Sequence, residues 1–204
     1  MRRIVITGAT GTIGMAMIGL CIRKGVEALI LCRKDSARAG RIPVHPLIRF
    51  RYCDLSQMKD WQPEEQESYD IFYHFAWAGT TGTARNDMYL QNKNVEYTLD
   101  AIRLAGRLGC HTFIGAGSQA EYGRVEGKLN ENTPVRPENG YGIAKLCAGL
   151  MSREECRSLG MRHIWTRILS VYGPYDGENS VIMSSIQKLL RGEEPELTAG
   201  DQNW

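Results

Sequence analysis

The chain has no run of like charges, no CxxC pair, no internal repeat and no low-complexity segment. Each absence excludes something. Basic and acidic residues are mixed throughout and the formal net charge is +2 over 204 residues, so neither a nucleic-acid stripe nor a polybasic membrane anchor is present, and a small molecule is the expected partner. Cysteines at positions 21, 32, 53, 110, 147 and 156 lie mostly inside apolar runs; they read as small hydrophobes of a reduced, cytoplasmic protein. No metal-ligand cluster is visible, so no metal is expected. The uncharged stretch Ile4 to Ile22 follows Arg2-Arg3, but its glycines at 8, 11, 14 and 19 suit a strand, turn and helix better than a secretory signal or a membrane span.

What is present is an alternation. Arg3 to Thr7 is a β-branched run fit for a strand buried on both faces, Thr12 to Lys24 is helical with Gly25 as its C-cap, and Ala28 to Cys32 is a second strand. Strands follow at Leu47 to Tyr52, Ile71 to Phe75, His111 to Gly115 and Arg162 to Leu169. Helices are expected at Asp87 to Leu108, Gly140 to Leu159 and Val181 to Arg191. This order predicts an α/β protein with a doubly wound parallel sheet and helices on both faces, a Rossmann fold. The loops Asn130 to Gly140 and Tyr172 to Asn179 fall at the edge where such sheets bind ligands.

Thr7-Gly-Ala-Thr-Gly-Thr-Ile-Gly14 sits between the first strand and the first helix. Gly8 permits the turn, Gly11 lets backbone approach a pyrophosphate, and Gly14 lets the helix pack close; the helix N-terminus then faces the phosphates. Residues Gly8, Thr10, Gly11, Thr12, Ile13 and Gly14 are therefore the expected dinucleotide cradle. An NAD site carries a carboxylate at the end of strand two to accept from the ribose 2′-OH, whereas an arginine suits a 2′-phosphate. Here that strand ends in Cys32-Arg33-Lys34, with Asp35 slightly late, so NADP is favoured over NAD. Tyr141 and Lys145 share a helix face. Lowering a phenol by roughly three units takes about 4 kcal/mol, which one cation about 4 Å away supplies at an effective dielectric of about 20. The pair is expected to form a tyrosine acid/base.

Taken with Cys53-Asp54-Leu55, His74-Phe-Ala-Trp-Ala-Gly79, Asn94-Val95, Gly117-Ser-Gln-Ala-Glu-Tyr-Gly123 and Val171-Tyr-Gly-Pro174, these motifs give a chain that resembles the extended short-chain dehydrogenase/reductases, in particular the NAD-dependent epimerase/dehydratase family acting on nucleotide sugars. The resemblance implies a dinucleotide-binding domain over residues 1–170 and the start of a substrate-binding region over 171–204. It implies Ser118, Tyr141 and Lys145 as catalytic residues, with Asp54 and Leu55 flanking adenine and Phe75, Ala76 and Trp77 along the diphosphate and ribose. Asp54 as a helix cap and Asn94 as a backbone-bonding helix residue are the rival readings of those two positions; His74 reads as structural. Dehydratases of the family carry Thr-Asp-Glu where this chain has Ser118-Gln119-Ala120, and Glu121, if extended, would face away. A sugar 4-epimerase is expected, then, with an NADPH-dependent keto-sugar reductase or a non-catalytic dinucleotide sensor as alternatives. In relatives a segment like Gly200-Asp201-Gln202 is followed by roughly a further third of the protein, so the sugar lobe is expected to be truncated here, leaving cofactor binding but poor turnover. A homodimer through the two long helices is also implied, using Leu90, Val95, Leu99, Ile102, Ile143, Leu146 and Leu150.

Overall fold

The computed structural model describes residues 2–64, 67–177 and 180–197. Its elements are β1 (Arg3–Thr7), α1 (Thr12–Lys24), β2 (Glu27–Cys32), β3 (Ile48–Tyr52), β4 (Ile71–His74), α2 (Met88–Arg107), β5 (Thr112–Ser118), α3 (Gly140–Ser158), β6 (Arg162–Ile168) and α4 (Val181–Leu190). All strand pairs are parallel, in the order β3-β2-β1-β4-β5-β6. The order reverses between β1 and β4, and that crevice is where an open α/β sheet receives its ligand.

Strand residues alternate between two cores. Ile4, Ile6, Ala28 and Ile30 meet Met15, Ile18 and Cys21 of α1 on one face. Val5, Leu29, Phe72 and Phe113 meet Ile102, Leu104 and Leu108 of α2 on the other, which is the two-sided burial that near-continuous apolar strands require. Helix α1 stops where expected: Gly25 adopts the left-handed conformation and its amide returns to Cys21 and Ile22 carbonyls. Five of the cysteines are buried as free thiols, and only Cys147 is exposed.

Three expectations need correction. Strand β5 runs past Gly115 to Ser118 because all seven residues pair with β6. Gly115 and Gly117, poor strand formers by themselves, make room for the Trp165 indole of β6, which also covers Gly149 of α3. Of the α2 residues expected at a dimer face, Val95 and Ile102 are buried and Leu99 packs on the core, whereas on α3 Ile143, Leu150 and Met151 are exposed. Last, the segment after Ser118 is not extended. Gln119–Glu121 forms a 3-10 turn that swings Glu121 inward. Residues Glu178-Asn179 of the second loop and the Gly200-Asp201-Gln202 segment lie outside the described residues. No helix among the described residues is long and apolar enough to cross a membrane.

Candidate functional site

Two turns meet at the carboxyl edge of β1 and β4. Thr7 Oγ1 bonds His74 Nδ1 at 2.9 Å and accepts from the Ala76 amide at 3.4 Å, tying the two strand ends together. Burial, and secondarily the Lys145 charge, hold the His74 imidazole down at about 3, so the ring is neutral and its role is structural. Gly8 has φ +71°, and a Cβ there would stand 2.6 Å from Ala76 N and Phe75 C. One on Gly14 would stand 2.5 Å from Ala9 Cα, where the helix leaves the turn. Those two glycines are demanded by the protein's own backbone.

Gly11 is different. A Cβ there meets nothing nearer than Gly8 O at 3.7 Å, so its outer face is open. It caps α1 without a side-chain bond, the first turn holds no acidic residue, and the amides of Thr12, Ile13 and Gly14 have no backbone acceptor among the described residues. An open floor with free donors at a positive helix end fits a dinucleotide diphosphate. Its backbone, φ −87° and ψ 172°, is one that alanine adopts freely. Gly11→Ala should therefore leave the melting temperature almost unchanged but weaken dinucleotide binding about tenfold or more, or about 1.4 kcal/mol. Calorimetric titration beside a thermal melt checks this; unchanged affinity would remove the diphosphate from this turn.

The flanking candidates divide. Arg33 and Lys34 directly follow β2, and Arg33 Nε lies 3.7 Å from Asp35 Oδ1, with both side chains well exposed. A guanidinium and a carboxylate thus stand together at the ribose position. The Asp54 carboxylate caps the short turn Leu55–Gln57, accepting from Ser56 N at 3.0 Å and Ser56 Oγ at 2.7 Å, while Leu55 leans on the core. Asn94 also takes its rival reading: Nδ2 donates to the Ala78 and Leu90 carbonyls and Oδ1 accepts from Ala78 N at 2.8 Å, so the side chain fastens the loop after β4 instead of reaching outward. Gln91 does the same a turn earlier, holding Trp77 Nε1 at 2.8 Å and the Gly79 and Ala84 carbonyls. Phe75 packs on the α1 side of the sheet, and Ala76 stays half-buried at the turn.

Ser118, at the tip of β5, and Tyr141, in the first turn of α3, come near enough that the serine side chain pulls the phenol downward. That turn is set by Asn139, whose side chain accepts from Gly142 N at 2.8 Å, and by Asn86, which accepts from Gly140 N at 3.0 Å. Lys145 is buried one turn further on. Its Nζ donates to Ala116 O at 2.6 Å and lies 3.7 Å over the Trp77 ring, against 5.7 Å to the Tyr141 ring centroid. Burial brings the ammonium down to about 7, opposed by Glu121. The expected lowering of the phenol by that ammonium is corrected: burial raises Tyr141 above its ordinary value and Glu121 adds to this, while Ser118 and Arg85 pull it back. A long side chain at i+4 can reach the phenol, but here an indole face and a carbonyl hold it. Beside Ser118 opens a cavity of about 970 Å³, lined by Arg85, Gln119, Tyr122, Glu138 and Asn139 among others.

The sequence reading missed Arg85, which no local pattern marks, and undervalued Glu121. Fully buried, Glu121 accepts from Ser118 N at 2.8 Å, Trp165 Nε1 at 3.0 Å and Arg167 Nε at 2.7 Å. The capping pattern Ser118-x-x-Glu121 was the available signal.

Residues 4–204 match the family model described as the NAD dependent epimerase/dehydratase family. The chain belongs to that family. Within it, the chain is 26% identical over 175 residues to a UDP-glucose 4-epimerase of Streptococcus mutans, a match that takes in 83% of this chain and 52% of that protein. A crystal structure of UDP-galactose 4-epimerase superposes with a TM-score of 0.78 at 27% identity, covering 93% of this chain and 63% of that one. The fold is shared as well with the UDP-glucuronic acid 4-epimerase of Bacillus cereus in complex with NAD, with a TM-score of 0.80 at 18% identity over 95% of this chain and 64% of that one. This member of the family thus spans about half to two thirds of the length of these relatives.

Proposed function

We propose that the protein oxidises and re-reduces a sugar carbon of a nucleotide sugar, as a 4-epimerase, with Ser118, Tyr141 and Lys145 handling the proton. The observation that supports this best is that Ser118, whose side chain draws the Tyr141 phenol downward, lines the large cavity on the same edge as the open Gly11 turn. A bound nicotinamide supplies hydride acceptance and return. The chain's own residues hold and time the proton: Ser118 positions the sugar hydroxyl, the Tyr141 phenol, once it has passed its own proton to solvent, takes the hydroxyl proton and later gives it back, and Lys145 is the residue that would hold the ribose. The turn from Gly8 to Gly14 holds the diphosphate, Asp54 and Leu55 border the adenine, and Phe75, Ala76 and Trp77 line the ribose side. Residues 171–204 belong to the sugar-binding side of the site. Dehydration is disfavoured because the one carboxylate next to this motif, Glu121, is buried on Arg167 and Trp165 rather than facing the cavity.

The reading is tested by adding UDP-glucose to the protein with NAD(P)⁺ and following both nicotinamide absorbance and the 4-epimer. Appearance of the epimer without net reduction supports it. Net, one-way reduction of a 4-keto sugar by NADPH would move the assignment to a reductase, and dinucleotide binding without any sugar chemistry, also in a chain as long as these relatives, would leave a sensor.

Arg33 supports a preference for NADP over NAD, since its guanidinium can exchange the loose 3.7 Å contact with Asp35 for a charge-assisted pair with a 2′-phosphate. Arg33→Ala should then cost NADP about tenfold in affinity or more and NAD little. Equal affinities in the unsubstituted protein sink the preference. A two-fold dimer through the α3 stripe at Ile143, Leu150 and Met151 is the assembly this surface favours, and a monomer by light scattering at tens of micromolar would count against it.

A further inference from the structure

The chain leaves β6 at Ile168, on one edge of the sheet, and five residues later it is back at the glycine turn: a Cβ on Gly173 would stand 3.8 Å from Thr12 Cγ2, at the start of α1. Two residues further on, the Tyr175 ring meets the Arg41 guanidinium, with Cζ 5.4 Å from the centroid. Arg41 ends the short turn Ala39–Arg41 in the connection between β2 and β3, and its neighbours Ala39 and Ile42 pack on the α1-side core. Strand β2 lies four strands from β6, about 19 Å away at the usual spacing, and the seven residues from Ile168 to Tyr175 reach at most about 25 Å. The segment therefore runs with little slack across the carboxyl edge of the sheet, past the point between β1 and β4 where the strand order reverses.

Its far end is strained. Tyr175 is the one non-glycine residue with positive φ among the described residues, at +69°, a region that glycine enters freely and an aromatic residue avoids. A turn in which Asp176 N donates to Gly173 O at 3.1 Å closes around that residue. The floor beneath stays clear, because only Gly8 O comes within 4 Å of a Cβ on Gly11.

We infer that Tyr175 and Arg41 form a clasp that fastens this segment over the adenosine diphosphate half of a bound dinucleotide. The inference rests on the glycine turn holding the diphosphate and is independent of the sugar chemistry; the first residues of the region placed on the sugar-binding side reach the cofactor as well. The end of β2 is where the adenosine ribose belongs and the N-terminus of α1 is where the diphosphate belongs, and the segment is fixed beside both. Stacked together, the ring supplies a flat cover and the guanidinium a permanent positive charge on the side where the ligand carries its phosphates. The strain at Tyr175 is a cost in the empty protein that contact with a ligand offsets.

The test is calorimetric titration of the 204-residue chain with NAD, NADP and ADP-ribose, beside a thermal melt of each variant. Tyr175→Gly should weaken all three ligands about fivefold, or about 1 kcal/mol, while its melting temperature holds or rises because glycine accepts that backbone. Tyr175→Phe keeps the ring and should bind as the unsubstituted protein does. Arg41→Met should lose about as much as Tyr175→Gly, and the double variant little more than either, since two residues of one clasp do not contribute independently. Unchanged affinity in Tyr175→Gly or in Arg41→Met overturns the inference. So does a loss in Arg41→Met confined to NADP, which would make Arg41 a contact of the 2′-phosphate, and so do losses that multiply in the double variant. An unsubstituted chain that binds none of the three ligands ends the diphosphate reading of the glycine turn and the clasp with it, whereas binding that ignores both substitutions ends the clasp alone.

Discussion

Tyr141→Phe is expected to lower sugar turnover by about 10²- to 10⁴-fold, the range that a positioned proton-transfer group contributes, with dinucleotide affinity nearly unchanged. The substitution removes only an oxygen. The ring contacts that set this turn, with Trp77 at 6.1 Å between centroids and under the Arg85 guanidinium, do not need the hydroxyl. The glycine turn proposed to hold the diphosphate lies on a different element and shares no atom with it. Stability should therefore stay close to that of the unsubstituted protein, since the net contribution of one hydroxyl is about 1 kcal/mol. Steady-state turnover paired with a dinucleotide titration separates the two effects. A variant that keeps more than about a tenth of the activity, well outside the expected range, would give the proton to another group.

Glu121→Ala carries the largest expected effect on folding. The carboxylate has no contact with solvent and accepts three hydrogen bonds, one from the nearby Ser118 amide and two from distant β6, the Trp165 indole and the Arg167 guanidinium. Removing one member of a buried charged group costs about 3–5 kcal/mol because the partners lose their acceptor. Arg167 is partly exposed, its side chain at 32%, and can rehydrate, which places the expectation near the lower end. At about 2–4 °C per kcal/mol for a chain of this size, the melting temperature should fall by about 6–12 °C. Glu121→Gln should fall less, as its carbonyl oxygen still accepts from Ser118 and Trp165. A loss below about 1 kcal/mol in Glu121→Ala would show that water replaces the carboxylate in the gap. Loosening the Ser118 amide should also cost turnover, so this variant links the buried brace to the site.

Much of the architecture can be read from short-range pattern. The apolar run Arg3 to Thr7 and the helical stretch from Thr12 to Gly25 occur where the pattern places them, because a buried parallel strand must be apolar on both faces and a helix of this kind ends on a left-handed glycine. Where pattern failed, a distant residue had taken over. Strand β5 looked short since glycines 115 and 117 weaken it locally, and it is long because Trp165, some 50 residues on, fills the space they leave. Glu121 was placed by an assumed extended backbone, but the Ser118 capping pattern turns it into the interior. The apolar residues of α2 looked surplus because a sequence does not say how much surface α3 and the sheet will cover.

From the sequence by itself came the order of elements, the edge of the sheet at which such folds bind ligands, and the glycine turn. These follow from backbone constraints that act within a few residues: the period of a strand or helix, a positive φ, the absence of a Cβ. Only the tertiary structure decided which way the long charged side chains point. Lys145 is four residues from Tyr141, yet its ammonium is captured by Ala116, 29 residues away, and by Trp77, while Arg85 arrives from a loop with no motif of its own. A side chain with four rotatable bonds reaches several positions from one backbone site, and the choice among them is made by partners that the fold alone brings near.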